Sequence, residues 1–398
     1  MQTKITLGIN SSPNSFEAGR EAAFAAKVDL QSDEISLAIV FASVNYELAE
    51  VLKGIKRVIK TTPLVGTSGA GVITSMGSYK KAVAVLLISS DRFKFGITAR
   101  GPISAGKERS CGQELAQEAA KKTKGLNRHA FSLFSDSHIN NPGELISGIQ
   151  EVLGASFPIV GGFSADDGRF GKTYQFFEEQ VLSYSAAGIL WSGDCDCSIA
   201  TAHGWKALGR PLTITNSQGN RIKTIEGKNA FKVYEGYFGE NTKDLKQSRL
   251  SKIALLYPLG FYLGSEDGYL LRNITGVEDD GTLVCQGEIP AGLDARLMIG
   301  TKDALLEATR EVAEQVKKKL DKKNKKMSLA IIADSFSRYH LLGRDAEKET
   351  QILQEVFGSH VPFVGFYSFG EYAPLSDIRY MGKGYVFNES ISALAIGE

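Results

Sequence analysis

The sequence predicts an α/β or α+β fold of mixed sheets with helices on the outside. Three observations carry that prediction. A unit of amphipathic helix, apolar strand, second helix and a strand opening P-φ-V-G occurs three times in 398 residues, and strand–helix–strand runs favour parallel neighbours within a sheet. SLAIVFA from Ser36 and AVAVLLIS from Ala82 are apolar on both faces, as strands buried between layers are. The helices carry one apolar stripe each, so they cover a sheet from one side.

The first unit runs from the helix SFEAGREAAFAAKV at Ser15 to a strand from Ser36, a helix from Tyr46 to Lys60 and Pro63-Leu64-Val65-Gly66. The second has GQELAQEAAKKT, a strand from Ala130, a helix from Pro142 to Leu153 and Pro158-Ile159-Val160-Gly161. In the third, DALLEATREVAEQVKKKL leads to a strand from Ser328, a helix from Arg344 to Phe357 and Pro362-Phe363-Val364-Gly365. Further strands close each unit. A degenerate fourth copy, without its first strand and second helix, is expected from the helix Glu226–Gly239 and the segment ending Pro258-Leu259-Gly260. Two related halves follow, 1–209 with two units and 210–398 with one degenerate and one full unit. A layered αββα arrangement, two sheets face to face with helices outside, satisfies these patterns.

Composition excludes several classes. Lys and Arg total 46 against 45 Asp and Glu, a net charge of +1, so no global field draws in nucleic acid. No stretch reaches 18 uninterrupted apolar residues and the N-terminus has no apolar leader core, so membrane insertion is not expected and a soluble, cytoplasmic protein is. Cys111, Cys195, Cys197 and Cys285 complete no zinc set with the five histidines, and they read as buried free thiols in a reducing compartment. No metal is expected.

The Gly-rich turns are the candidate site. GTSGAG from Gly66 fails as a Walker loop, because no Lys and Ser or Thr follow Gly71, and as a dinucleotide fingerprint, because Thr74 stands where Gly is required. Its counterparts are GGFSADDG from Gly161 and GFYSFGEYAP from Gly365. Pro at a strand start and Gly after the apolar pair have a purely structural reading, in which only close backbone approach matters. The continuations are more telling: each sits at the carboxyl end of a strand that follows a helix, where open α/β sheets place binding crevices. Expected ligand-binding residues are Gly66, Thr67, Ser68, Gly69 and Ala70; Gly161, Gly162, Phe163, Ser164 and Asp166; Gly365, Phe366, Tyr367, Ser368 and Glu371; and, from the first-strand loops, Asp136 and Asp334. A small polar ligand suits backbone amides and hydroxyls between the aromatic walls of Phe163, Phe366 and Tyr367. An enzyme with Asp166, Asp167 or Glu371 as acid or base is the alternative. No G-x-S-x-G elbow, H-E-x-x-H or nucleophile–base set is present, so catalysis is not the leading expectation.

These motifs resemble the FIST proteins, with paired FIST N and FIST C domains. The resemblance rests on GTSGAG, on PIVGGFSADDG, on HGWKALGRPLTITNSQGNRIKTIEGKNAFKVYEGYFG from His203, on YPLGFYLGSEDGYLLRNITGVEDDGTLVCQGEIPAGLDARLMIG, and on PFVGFYSFGEYAP. It implies a stand-alone sensory module in signal transduction, with amino acids as the ligand class, no cofactor, and a separate protein as the output. With an amino acid bound, Asp166 or Glu371 would pair the ammonium and Arg272 the carboxylate. The resemblance also implies an alternative, a haem-dependent nitric-oxide sensor with non-covalent haem on His138 or His340.

Overall fold

The structure is a computed structural model and describes residues 3–242, 245, 252–263, 268–290, 292, 294–375 and 382–398. Parts of the resemblance motifs, residues 264–267, 291 and 293, lie outside the described residues.

Each of the three expected units builds the same six-stranded sheet. At its centre the two apolar strands run parallel: Leu37–Ser43 beside Leu64–Gly69, Arg128–Ser135 beside Ile159–Phe163, and Met327–Ser335 beside Phe363–Ser368. The intervening helices, Leu48–Ile59, Pro142–Leu153 and Ala346–Phe357, supply the crossovers such pairs require. Antiparallel to each first strand lies the last strand of the unit, Val83–Ser89, Ala186–Gly193 or Ile391–Gly397. Outside that comes a strand preceding the unit's first helix, which the helix-first reading of the repeat left out: Lys4–Asn10, Phe93–Arg100 and Asp196–Ala202.

The sixth position is filled by exchange. The P-φ-V-G strand of each sheet pairs with a strand pair from another unit: 175–182 joins the first sheet, Glu371–Pro374 with Gly384–Phe387 the second and 72–79 the third. The exchange is cyclic, so every sheet is completed by its neighbour.

Three sheets rather than two share the inner core. Leu37, Ile39 and Phe41 from the first meet Ala130, Phe134 and Ile189 from the second and Ile331, Phe366 and Leu394 from the third, all buried. Phe41 stacks on Phe366 at 5.0 Å between ring centroids, and Phe134 meets both edge-on at 5.5 and 5.8 Å. Each ring contributes about 1.5–3 kcal/mol through burial. Helices cover the outer faces, as Ala18, Ala22, Val51 and Ile55 do over Ala38, Val40 and Val85 in the first unit.

The segment 203–300 is built differently. Its strands form two antiparallel sheets, one of Trp205–Leu212, Ala295–Gly300, Leu259–Tyr262 and Tyr269–Arg272, the other including Ile214–Gln218, Arg221–Ile225, Leu283–Cys285 and Ile274–Val277. The strand after Pro258 pairs antiparallel on both sides, so the parallel pair that defines the other units is absent from the expected fourth copy. Gly209, near the expected junction of the halves, falls at a register irregularity inside a single strand.

His203 anchors this segment to the third unit. Its Nδ1 accepts from the Trp205 N–H at 2.8 Å and its carbonyl accepts from Arg338 Nη1 at 2.8 Å. Burial, then the nearby Arg338 cation, push the imidazole down to about 4. Because the unfolded chain binds this proton near pH 6.5 and the folded one does not until about 4, the contribution to stability is complete above pH 6.5 and is lost as pH falls through 4. In urea unfolding at pH 7 and pH 4, His203→Gln is expected to lose about 2 kcal/mol less than the parent over that interval, allowing for partial exposure. Equal losses in the two proteins would show that His203 is not the titrating group.

Candidate functional site

The three Gly turns converge, and they satisfy one another. Ala70 N–H donates to the Tyr367 carbonyl at 3.0 Å and Tyr367 N–H to Gly71 at 3.1 Å; Ala165 N–H donates to Ser68 at 3.1 Å and Phe163 N–H to Gly370 at 2.8 Å. Thr67 Oγ1 lies 2.5 Å from Ser164 Oγ. Thr67, Ser68, Ser164 and Ser368 are fully buried, so the amides and hydroxyls expected to hold a ligand hold the junction of the sheets instead. Phe366 belongs to the central ring cluster, and Tyr367 stacks on Tyr339 at 4.1 Å with its hydroxyl 2.7 Å from Ser78 Oγ.

The expected carboxylates are likewise engaged. Asp166 Oδ1 accepts from the N–H groups of Gly168, Arg169 and Phe170, and Oδ2 from Gly171 at 2.6 Å, which closes its own loop. Glu371 accepts from Ser368 Oγ at 2.5 Å and Ser390 Oγ at 2.7 Å; burial raises its carboxyl to about 8 despite those bonds. Asp334 receives Arg338 Nε at 2.7 Å.

The open space lies beside this junction, in a cleft of about 840 Å³. One wall is the second unit's loop and helix start, Ser137 to Glu144 with Ser147; another is the antiparallel segment, including Arg272, Cys285 and Gln286; the third is the hairpin end Lys383–Val386. Of the ligand-binding residues expected from sequence, Phe163 and Arg272 line it. Phe170 and Phe369, stacked at 4.5 Å, supply aromatic surface.

Arg272 ends the strand Tyr269–Arg272 and is 2% exposed. Nε donates to the Glu288 carbonyl at 2.7 Å, and Nη1 to the carbonyls of Leu271 at 2.8 Å and Val386 at 3.1 Å. These bonds leave Nη2 unused, and among the described residues no carboxylate forms an ion pair with the guanidinium. Burial lowers Arg272 to about 10, opposed by Cys285, Glu288 and Tyr385, and pushes the Cys285 thiol up to about 12.

The start of the helix Pro142–Leu153 also lines the cleft, capped by Asn141, whose side chain accepts from Glu144 N–H at 3.2 Å. Asn before Pro at the first helical position favours this entry, and the first-turn amides favour an anion. His138 also lines the cleft, with Nδ1 3.0 Å from buried Asp136 Oδ1 and Nε2 3.4 Å from the Phe170 carbonyl. Asp136 is thereby an orienting group behind the wall. His340, the other residue named for haem, is exposed on the helix Phe336–Leu342 with its ring 6.0 Å from Phe336, away from the cleft. Sequence reasoning missed Asn140–Glu144 and Gln286 as cleft residues. The Asn-Asn-Pro helix entry was a readable signal for the former, whereas Gln286 has none.

The FIST N domain profile matches residues 36–228 and the FIST C domain profile residues 230–374. The chain belongs to the FIST family. FIST domains are regarded as sensory domains. Relatives include the uncharacterized protein MJ1623 of Methanocaldococcus jannaschii, 24% identical over 70% of this chain and 56% of that protein, so the chain spans about half its length. Uncharacterized protein Mb0898c of Mycobacterium bovis is 20% identical over 94% of this FIST chain and 95% of its own. Among solved structures, a cyanuric acid hydrolase from A. caulinodans overlaps 99% of both chains at 7% identity with a TM-score of 0.42, too loose a likeness to transfer an activity. No helix among the described residues is long and apolar enough to cross a membrane.

Proposed function

We propose that this FIST protein is a non-enzymatic sensory binding protein whose ligand is a small carboxylate, with amino acids as the leading class, and whose output is a separate protein. The observation that carries the reading is Arg272: a buried guanidinium without a carboxylate partner among the described residues, lining a cleft large enough for a small ligand. A desolvated cation gains from an anion brought to it, and its fork matches two carboxylate oxygens. The first turn of the helix Pro142–Leu153, in the same lining, adds a favourable field. Asp166 and Glu371 do not line the cleft; Glu144 and Glu288 do, and since Glu144 is paired with Arg109 at 2.6 Å, Glu288 is the carboxylate placed to meet an ammonium group. The Asp136–His138 pair at the wall is the observation in favour of a second reading, acid–base catalysis on the bound ligand.

Thermal melts against amino acids, simple carboxylates and haem test this reading. A ligand at 100 times its Kd adds about 2.7 kcal/mol to folded-state stability. Arg272→Lys is expected to weaken binding at least tenfold, and Asn140→Asp, an exposed change that sets a negative charge before the helix start, to weaken a carboxylate while leaving the unliganded melt unchanged or slightly raised. A panel without any shift, or binding indifferent to both variants, removes the carboxylate site. Product formed from a bound compound would establish turnover in its place.

A further inference from the structure

The cleft is larger than a small carboxylate needs. Its volume of about 840 Å³ stands near the upper end of the roughly 300–1,000 Å³ of ligand clefts, so an alanine-sized molecule on Arg272 would leave most of it to water. The rest of the lining decides what fills that space. Ile139, Leu263, Leu270 and Ile289 bring aliphatic side chains, and Phe170 and Phe369 add two rings stacked at 4.5 Å with 19° between their planes.

The two rings are held in place by more than packing. Phe170 is half-buried and adopts φ 52°, a left-handed conformation in which a bulky side chain is an outlier. Asp166 imposes that conformation. Its Oδ1 accepts from the N–H groups of Gly168 at 2.9 Å, Arg169 at 3.0 Å and Phe170 at 3.1 Å, and its Oδ2 from Gly171 at 2.6 Å. One carboxylate thus fixes the peptide groups on both sides of Phe170. A strained residue that its surroundings over-determine marks a position where the direction of the side chain matters. Phe369 is fixed separately, since its carbonyl accepts from Gln286 Nε2 and its ring meets Phe336 edge-on at 5.7 Å. The next residue, Gly287, lies against Arg272: a Cβ there would stand 3.2 Å from Nε and 3.3 Å from Cζ. Two consecutive residues therefore tie the aromatic surface and the guanidinium fork to one stretch of wall.

We infer that the ligand is an aromatic carboxylate, with aromatic amino acids as the class, whose ring packs on the Phe170–Phe369 stack while its carboxylate meets Arg272, and that Asp166 is the positioning residue for that stack. This ligand class rests on the carboxylate reading of the cleft and narrows it. A third ring in offset or edge-on contact gains beyond the apolar area it buries, which an aliphatic chain of similar volume does not. Asp166 lies outside the cleft lining and acts through Phe170.

The full chain is titrated calorimetrically with L-phenylalanine, L-tryptophan, L-leucine and L-alanine, and with N-acetyl-L-phenylalaninamide, which keeps the ring and has no carboxylate. Phenylalanine and tryptophan are expected to bind roughly tenfold more tightly than leucine, and leucine more tightly than alanine. Phe170→Leu is expected to remove the aromatic preference, bringing phenylalanine close to leucine. Asp166→Asn, which loses one acceptor oxygen, is expected to shrink the ratio of the two affinities and to change leucine binding less. If that variant does not fold, Asp166→Ser, which keeps one acceptor, reads the same ratio. Equal weakening of phenylalanine and leucine would make Asp166 structural only and overturn its assignment. Leucine or alanine binding as tightly as phenylalanine, with Arg272→Lys still weakening every amino acid, would overturn the aromatic class and leave the carboxylate reading. Binding of the amide with none of the amino acids would overturn the carboxylate half and keep the stack as the site, and no binding by any of the compounds would overturn both.

Discussion

Arg338→Met is expected to lower the unfolding free energy by about 3–5 kcal/mol, the range for removing one partner of a buried ion pair. Arg338 is fully buried at the head of the short helix Phe336–Leu342, four residues after Asp334. Its Nη2 donates to Thr309 Oγ1 at 2.8 Å, to the Leu305 carbonyl at 3.0 Å and to Glu349, and Nη1 reaches the His203 carbonyl. One guanidinium thus joins the third unit's central strand, both of its long helices and the entry to segment 203–300. Methionine fills the volume and leaves two carboxylates without their cation. Adding Asp334→Asn and Glu349→Gln to Arg338→Met is expected to recover a large part of the loss, since the cost lies in the stranded charges. Guanidinium unfolding measures both steps; a loss under about 1 kcal/mol for the single variant would mean that the cluster is not held ionised.

Alanine at Gly66, Gly161 or Gly365 is expected to cost about 3 kcal/mol at each site, the upper end for overpacking, because the obstructing atom is backbone. In the parallel pairs these glycines stand opposite Val40, Leu133 and Ile332. An added Cβ would lie 1.8, 2.1 and 2.1 Å from the carbonyl oxygens of those residues. The paired strands approach so closely that only a residue without a side chain fits. Gly236→Ala is the control, an open helical position where alanine is expected to be neutral or stabilising by up to about 1 kcal/mol. Comparable losses at Gly236 and at the three strand glycines would remove the steric explanation.

That geometry also accounts for how the sequence could be read. P-φ-V-G recurs because the same strand contact is made three times, and residues apolar on both faces, such as Leu37 to Ala42, are buried as their pattern predicts. The parallel pairs and outer helices follow from local periodicity. The destination of each hairpin does not, because Val72–Thr74 carries the same alternation whether it docks on its own sheet or on the third. Small and polar side chains cluster at the turns because three backbones meet there, and the cleft is built from walls that share no motif. Arg272, expected from the shape of its guanidinium fork to meet a ligand carboxylate, lines the cleft. Nothing in its neighbourhood of sequence announces that its partners at Glu288 and Val386 are carbonyls, since Val386 arrives from the far end of the chain.

The cyclic hairpin exchange bears on how the chain reaches its native state. Val72 pairs with Phe366, so a hairpin synthesised early must wait for one of the last strands to leave the ribosome. The first sheet lacks its outer strands until 175–182 emerge, and the second until 371–387 do. Contact order is high in each unit, and closing such loops precedes the contacts that reward it, which slows folding. A fragment cut between the FIST N and FIST C domains would strand the hairpin 72–79 and bare the edge beside Ile159–Phe163, leaving backbone groups free to pair with other chains. No sheet is therefore complete until all three units are present, and the edges that wait for a partner are where a partly folded chain is expected to associate with others.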